Sequence, residues 1–214
     1  DFPKKLSEFQ QLMDRNRIFM DRTINVGGIS DTLALEYGFT GPNLRAAGVD
    51  YDVRVAHPYS SYEDFQFDIP VGTNGDTYDR YMVRMEEMWQ SLRIIEQAVK
   101  NIPDGEFHAD LPDFYLPEKQ KVYSEMEAMI YHFKIIYGET EIPKGEVYHC
   151  VEGGNGELGY YLISDGGRQP FRLHFRRPCF IYYQAYPEMI KGAMLSDAII
   201  TMSSMNVIAG ELDA

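Results

Sequence analysis

Asp76, Arg80, Arg84 and Glu87 follow one another at steps of four, four and three, the spacing that stacks side chains along one stripe of a helix. On a wetted helix face such acid and guanidinium pairs contribute only about 0.3–0.5 kcal/mol each. Set against other segments, the same groups can fix loops at a subunit interface, because a guanidinium fork matches a carboxylate bidentately. Arg45 and Arg54 bring that chemistry to the run Gly41-Pro42-Asn43-Leu44-Arg45-Ala46-Ala47-Gly48-Val49-Asp50-Tyr51-Asp52-Val53-Arg54. A second constellation is Arg172, His174 and Arg176, which alternate with Phe171, Leu173 and Phe175 and so share one face of a strand. That face is either the wet side of a half-buried sheet or a basic surface that steers an acidic partner or tunes a redox centre.

Metal chemistry is poorly served by this chain. Cys150 and Cys179 stand far apart with no CxxC or CxxH partner, which is neither zinc nor iron–sulfur spacing, and they read as buried free thiols, with pairing to each other as the alternative. His57, His108 and His132 are widely separated, and His149 is either a proton carrier or a structural strand residue.

The elements that position these residues follow from periodicity. Leu6, Phe9, Met13 and Met20 make one stripe, which predicts a first amphipathic helix over residues 4–23. Ser30 or Asp31 caps a short helix ending at Gly38, and another short helical turn ends at Gly48. Residues 51–75 show no clear period. Residues 75–102 give the strongest helix, with Tyr78, Met82, Met85, Trp89, Leu92 and Val99 as its expected core face and the charged stripe opposite. After an acidic, Pro-marked connection over residues 103–117, a second long helix is expected from Pro117 to Gly138.

From Lys144 the pattern changes to alternation, with turns at 153–156 and 165–167, which predicts a three-stranded antiparallel meander at about 145–177. After Pro178 the chain returns to helix, broken at Pro187 and Gly192. Residues 193–210 contain Asp197, Asn206 and several hydroxyls, so they read as a buried or interface helix and not a membrane span. Any membrane contact would then run through partners. A length of 214 residues with 44% hydrophobic content fits a single domain over 1–214, and a net charge of −13 argues against non-specific binding to nucleic acid.

The run Gly41 to Arg54 is followed in order by Pro58-Tyr59, Gly75-Asp76-Thr77-Tyr78-Asp79-Arg80-Tyr81, Gly145-Glu146-Val147-Tyr148, Gly156-Glu157-Leu158-Gly159-Tyr160-Tyr161, Ser164-Asp165-Gly166-Gly167, Arg176-Arg177-Pro178 and Gly210-Glu211-Leu212-Asp213. This ordered set resembles the D subunit of NADH:quinone oxidoreductase, respiratory complex I, over essentially the whole chain. The match is to that protein's C-terminal half, and with Asp1 in place of an initiator Met the chain is expected to be a fragment. The family's quinone-contacting His and Tyr lie in the other half, so no catalytic residue is assigned here.

The resemblance implies a mainly α (α+β) domain with the nickel–iron hydrogenase large-subunit architecture and a small three-stranded antiparallel sheet. It implies a role in electron transfer from NADH to quinone by the whole, proton-translocating complex, the isolated piece being inactive. Flavin (FMN), NADH and iron–sulfur clusters would sit in partner subunits, and no cofactor or metal in this one. Quinone would enter at the boundary with the iron–sulfur B subunit. The C subunit and the membrane-arm subunits would be further neighbours, on the cytoplasmic side of a bacterial inner membrane or the matrix side in a mitochondrion. Asn206, Ile208 and Glu211 are quinone-cavity candidates by position in the family motif, and Arg45, Arg54, Asp76, Arg80, Arg84 and Glu87 are interface or structural candidates. Two other classes stay open: the large subunit of a ferredoxin- or formate-linked relative, and a non-catalytic interaction module.

The chain also departs from the family pattern. Glu152-Gly153-Gly154-Asn155-Gly156 stands where Glu-Ala-Pro, a basic residue and Gly are usual, Asn206 replaces an Asp, and Ala214 replaces an Arg. Hydrogenase large subunits bind nickel through cysteine pairs near both ends. Residues 208–214 hold no Cys, so hydrogen activation is not expected.

Overall fold

The computed structural model describes residues 1–105, 111, 115–138, 142–167 and 169–213, and His108 and Ala214 lie outside these. It is mainly helical with one three-stranded antiparallel sheet, as the sequence implies. The chain divides into two compact units: Asp1–Asn101, Cys150–Gly159 and Phe175–Ala214 form the first, Ile102–His149 and Tyr160–His174 the second.

In the first unit the expected opening helix is two, α1 (Phe2–Met13) and α2 (Arg17–Thr23). The break comes from Asn16, whose extended backbone lets its Oδ1 accept the amides of Ile18 and Phe19 at 3.0 and 3.2 Å and so start a new helix. α3 (Asp31–Tyr37) has the expected ends, Ser30 Oγ accepting from Leu33 N and Gly38 closing in the left-handed region. α4 (Gly41–Ala46) is buried along its whole length. Residues 51–75 are irregular apart from α5 (Val53–Ala56) and a single 3-10 turn, Tyr62–Asp64.

α6 (Thr77–Asn101) is the long helix, and of its expected core face only Met85 is fully buried, while the charged stripe turns inward against the expectation. Asp76, Thr77, Arg80 and Val83 are buried, and Arg84 and Glu87 half-buried, whereas Val99 is 70% exposed and Tyr78, Met82, Trp89 and Leu92 are only half-covered. The charged stripe faces inward because α4 and, from the far end of the chain, α10 (Leu195–Met205) pack on it and bring it partners. The aromatic side rests on α1 and α2, where Tyr81 donates to Asp14 Oδ1 at 2.8 Å and Trp89 to Gln10 Oε1 at 3.0 Å.

α9 (Pro178–Met189) carries the centre of the core, with Tyr182, Ala185 and Met189 packed on Phe39 and Leu44 and on Met205 of α10. Each fully buried large side chain here contributes roughly 1.5–3 kcal/mol. The break expected at Pro187 does not occur. That residue sits in the last turn of α9, where one lost amide bond interrupts little before the helix ends at Met189. α11 (Ala209–Asp213) closes the unit against α9.

In the second unit the expected helix from Pro117 to Gly138 is again two, α7 (Lys119–Ser124) and α8 (Met126–Tyr137). Glu125 between them is extended, next to Ser124, whose hydroxyl bonds back to the carbonyl of Gln120 at 3.1 Å. Gly138 terminates α8 in the left-handed region. The strands β1 (Gly145–Gly153), β2 (Gly156–Ser164) and β3 (Arg172–Arg176), each with residues in both units, pair in the order β1-β2-β3, the predicted meander. Phe171, Leu173 and Phe175 are exposed along with Arg172 and His174, so β3 is open on both faces, not half-buried. Among the described residues no helix is long and apolar enough to cross a membrane.

Candidate functional site

Arg45 is 1% exposed and is the centre of a knot of charges in the first unit. Its Nε and Nη2 donate to Glu87 Oε1 at 3.0 and 2.5 Å, while Nη1 donates to Glu152 Oε1 at 3.0 Å and the Tyr51 carbonyl at 3.0 Å and lies 3.3 Å from Asp52 Oδ2. Arg54 grips Asp52 with two bonds, 2.9 and 2.6 Å, and its guanidinium lies 4.8 Å from the Phe67 ring centroid. Glu152 is held from its other side by Val53 N at 3.3 Å, and its own amide donates to Tyr59 Oη at 2.9 Å. Two cations thus face three carboxylates with little water.

The electrostatics distinguish the carboxylates. Burial pushes Glu152 above the usual carboxylate range against the pull of Arg45. Burial also works against Asp52, but its bonds to Arg54, with Arg45 behind, hold it below that range. Arg45 is raised: burial opposes its charge, and Glu87 and Glu152 outweigh burial. Such a knot rigidifies the segments it joins, here residues 45–54, α6 and β1, provided every charge keeps its partner.

The second half of the α6 stripe lies apart from this knot. Asp76 accepts the amides of Asn25 and Asp79 at 2.7 and 2.9 Å and so anchors the start of α6. Arg80, 1% exposed, donates to Ser204 Oγ at 2.9 Å, the carbonyls of Gly75 and Gly27 at 2.8 and 2.9 Å, and Thr77 Oγ1 at 3.0 Å. All four acceptors are neutral. Arg84 reaches Asn43 Oδ1 and the Met205 carbonyl at 3.4 Å each and the Arg80 carbonyl at 3.5 Å. Burial pushes both guanidiniums down, Arg80 further through its neighbour Arg84. Both line a cavity of about 400 Å³ with Phe19, Tyr81, Ile200 and Asn206.

Around Cys179 the closing segment is tied down by a third network. Cys179 N donates to Glu211 Oε2 at 2.9 Å, its thiol to the Asn206 carbonyl at 3.6 Å, and Asn155 Nδ2 to its sulfur at 3.4 Å. Asn206, in the left-handed region that ends α10, donates through Nδ2 to Asn155 Oδ1 at 2.6 Å. Cys179 is buried and Cys150 half-buried, and both are free thiols. Ile208 is 47% exposed.

Asn155 and Asn206, the positions at which the resemblance leads one to expect a basic residue and an Asp, meet as one amide pair. Asn155→Lys alone places a charge at a site 5% exposed and is expected to destabilise the protein by about 3 kcal/mol. Adding Asn206→Asp should recover about 1–3 kcal/mol of that in a urea-denaturation double-mutant cycle, and additive losses would show that the two positions are not coupled.

Of the residues singled out in the sequence, Arg45, Arg54 and Glu87 come together, Asp76, Arg80 and Arg84 form a separate group, and Asn206 and Glu211 meet at Cys179. Asp52 and Glu152 are additions from the structure. Asp52 stands two residues before Arg54 as a visible local partner, whereas Glu152 is brought from the sheet and carries no local signal. Arg172 and His174 stay on the surface, while Arg176 turns inward to the carbonyls of Glu157 and Gly38 at 2.8 and 2.9 Å. Among the described residues no three His, Cys, Asp or Glu side chains gather as a metal site requires.

Comparison with known proteins gives one consistent result. The family described as "Respiratory-chain NADH dehydrogenase, 49 Kd subunit" matches residues 1–214. The NADH-quinone oxidoreductase D 2 subunit of Cytophaga hutchinsonii is 73% identical over 100% of this chain and 55% of its own length. The D subunit of Flavobacterium johnsoniae is 69% identical, with 100% of this chain and 52% of its own length covered. The C/D subunit of Bdellovibrio bacteriovorus is 52% identical, with 98% of this chain and 38% of its own length covered. The chain therefore spans about half the length of the Cytophaga and Flavobacterium relatives it matches.

Proposed function

The chain belongs to the family of the 49 Kd subunit of respiratory-chain NADH dehydrogenase, and from that premise we propose that it forms one wall of the quinone site in an NADH:quinone oxidoreductase. Electrons pass from NADH to quinone through the whole complex, and this region by itself carries no turnover. It binds no cofactor: FMN, NADH and the iron–sulfur clusters belong to partner subunits, with the iron–sulfur B subunit across the quinone site. The C subunit and the membrane arm are further neighbours, and the C/D name of the Bdellovibrio relative favours the former as one. The complex couples the reaction to proton translocation, and this region meets the membrane only through partners, on the cytoplasmic side in a bacterium.

One observation carries this reading. The network of Glu211, Asn206 and Asn155 around Cys179 fixes the backbone of residues 206–211 and leaves Ile208 half exposed on it. A rigid backbone presenting an apolar side chain is what an apolar ring or tail needs for contact.

The test uses the full-length protein in its native membranes. Ile208→Ala and Ile208→Trp should shift KM for a short-chain quinone by about threefold or more, with NADH:ferricyanide reduction, which draws electrons upstream of quinone, unchanged. Equal losses of both rates, or no change in either, would remove Ile208 from the quinone wall.

A further inference from the structure

A buried cation is expected to make an ion pair, and on α6 two cations lie near acids without pairing with them. Among the described residues neither Arg80 nor Arg84 forms an ion pair. Arg80 spends its donors on uncharged oxygens, and so does Arg84, whose three bonds, at 3.4–3.5 Å, are long and weak. Both face the cavity of about 400 Å³, whose lining contains hydroxyls, an amide and aromatic rings but no carboxylate. In a chain of net charge −13 this is a local reversal of sign.

The nearby acids are already engaged. Asp197 on α10 is held by Arg22 at 2.6 Å, Asp76 by two main-chain amides, Asp79 by the amides of Thr73 and Asn74, and Glu87, the acid whose charge acts most on Arg84, by Arg45. Helices α2 and α10, which wall the cavity, also leave Ile18, Leu195 and Ile199 at 76%, 85% and 68% exposure. A free inorganic anion would compensate the charge and leave these side chains wet. A neutral quinone would leave the two guanidiniums uncompensated.

We propose that this cavity receives a carboxylate side chain on an apolar-flanked segment of the same full-length polypeptide, from the part corresponding to the half of its relatives' length that these 214 residues do not span. Tethering within one polypeptide raises the effective concentration to about the millimolar range or above, so a single buried ion pair with apolar flanks suffices for occupancy. The pair then fixes Arg84 and, through its carbonyl bond, the register of α6 against α10. The proposal stands independently of the quinone reading.

A photo-crosslinking residue, p-benzoylphenylalanine, replaces Ser203 in the full-length protein in its native membranes, and the adduct is mapped by mass spectrometry. The expected adduct lies in the same polypeptide outside these 214 residues, within a few residues of an Asp or Glu. Adducts to another subunit, to quinone or to lipid only, or no adduct, overturn the proposal. Arg84→Glu should then lower the amount of assembled protein about tenfold or more, and changing the mapped acid to Lys should restore it to within about threefold. Arg84→Lys should assemble nearly normally, and failure of the charge exchange to restore assembly also overturns the proposal.

Discussion

Replacing Arg45 by Met is expected to destabilise the protein by about 3–5 kcal/mol, enough to unfold a domain of ordinary stability. Methionine fills the guanidinium's volume, but Asp52, Glu87 and Glu152 are left around an apolar side chain with only Arg54 to serve them. The effect is of charge, so Arg45→Met combined with Glu152→Gln should lose less than the sum of the two single changes, by about 1–3 kcal/mol. Glu152 is the carboxylate to neutralise because burial already favours its protonated form, whereas Asp52 is held ionised. Urea denaturation of the four proteins at neutral pH checks this, and a cycle that closes additively would mean that the knot is not a unit.

Gly41→Ala is expected to be as damaging through the backbone alone. Gly41 has φ +62°, and a Cβ there would lie 2.3 Å from Gly156 Cα and 2.7 Å from its nitrogen. Both neighbours are main chain, so neither can rotate away, and the left-handed conformation adds about 1–2 kcal/mol of its own. Together these exceed about 4 kcal/mol, the range in which single changes are exceptional. Gly38→Ala is the control, since its φ is +79° with nothing within 4 Å of the added Cβ, and it should cost only the conformational part. Equal losses in thermal melts of the two variants would show that the close approach of residues 41 and 156 is not what the glycine serves.

Legibility follows locality. The capped helix from Asp31 to Tyr37, the length of α6 and the meander all rest on nearest-neighbour signals, namely a hydroxyl at one end, a left-handed glycine at the other, and alternation between turns. The faces of α6 are not legible, because an amphipathic pattern says which stripe is apolar and not which stripe finds partners. The apolar stripe of Tyr78, Met82 and Trp89 is satisfied by α1 and α2 near the surface, and the charged stripe is met by groups distant in sequence, Asn43, Arg45 and Ser204. The breaks at Asn16 and Glu125 are hidden because apolar spacing continues across them while side-chain oxygens compete for main-chain groups. The site divides in the same way: Arg45, Arg54 and Glu87 are visible as charges in a distinctive run and stripe, and Glu152, a further acceptor for Arg45, is not.

The separation of 107 residues between Arg45 and Glu152 has a consequence for synthesis. At about 5–20 residues per second the ribosome needs roughly 5–20 s to supply the acid after the base has left the tunnel. Ser204, the acceptor for Arg80, comes 124 residues after it. Through that interval Arg45 has only the earlier acids Asp52 and Glu87 to pair with and Arg80 lacks its Ser204 acceptor, so the network is completed only when the third stretch of the first unit emerges. A ribosome-bound chain of this kind is a natural client for a holding chaperone, and its exposure is written into the order in which the charges are made.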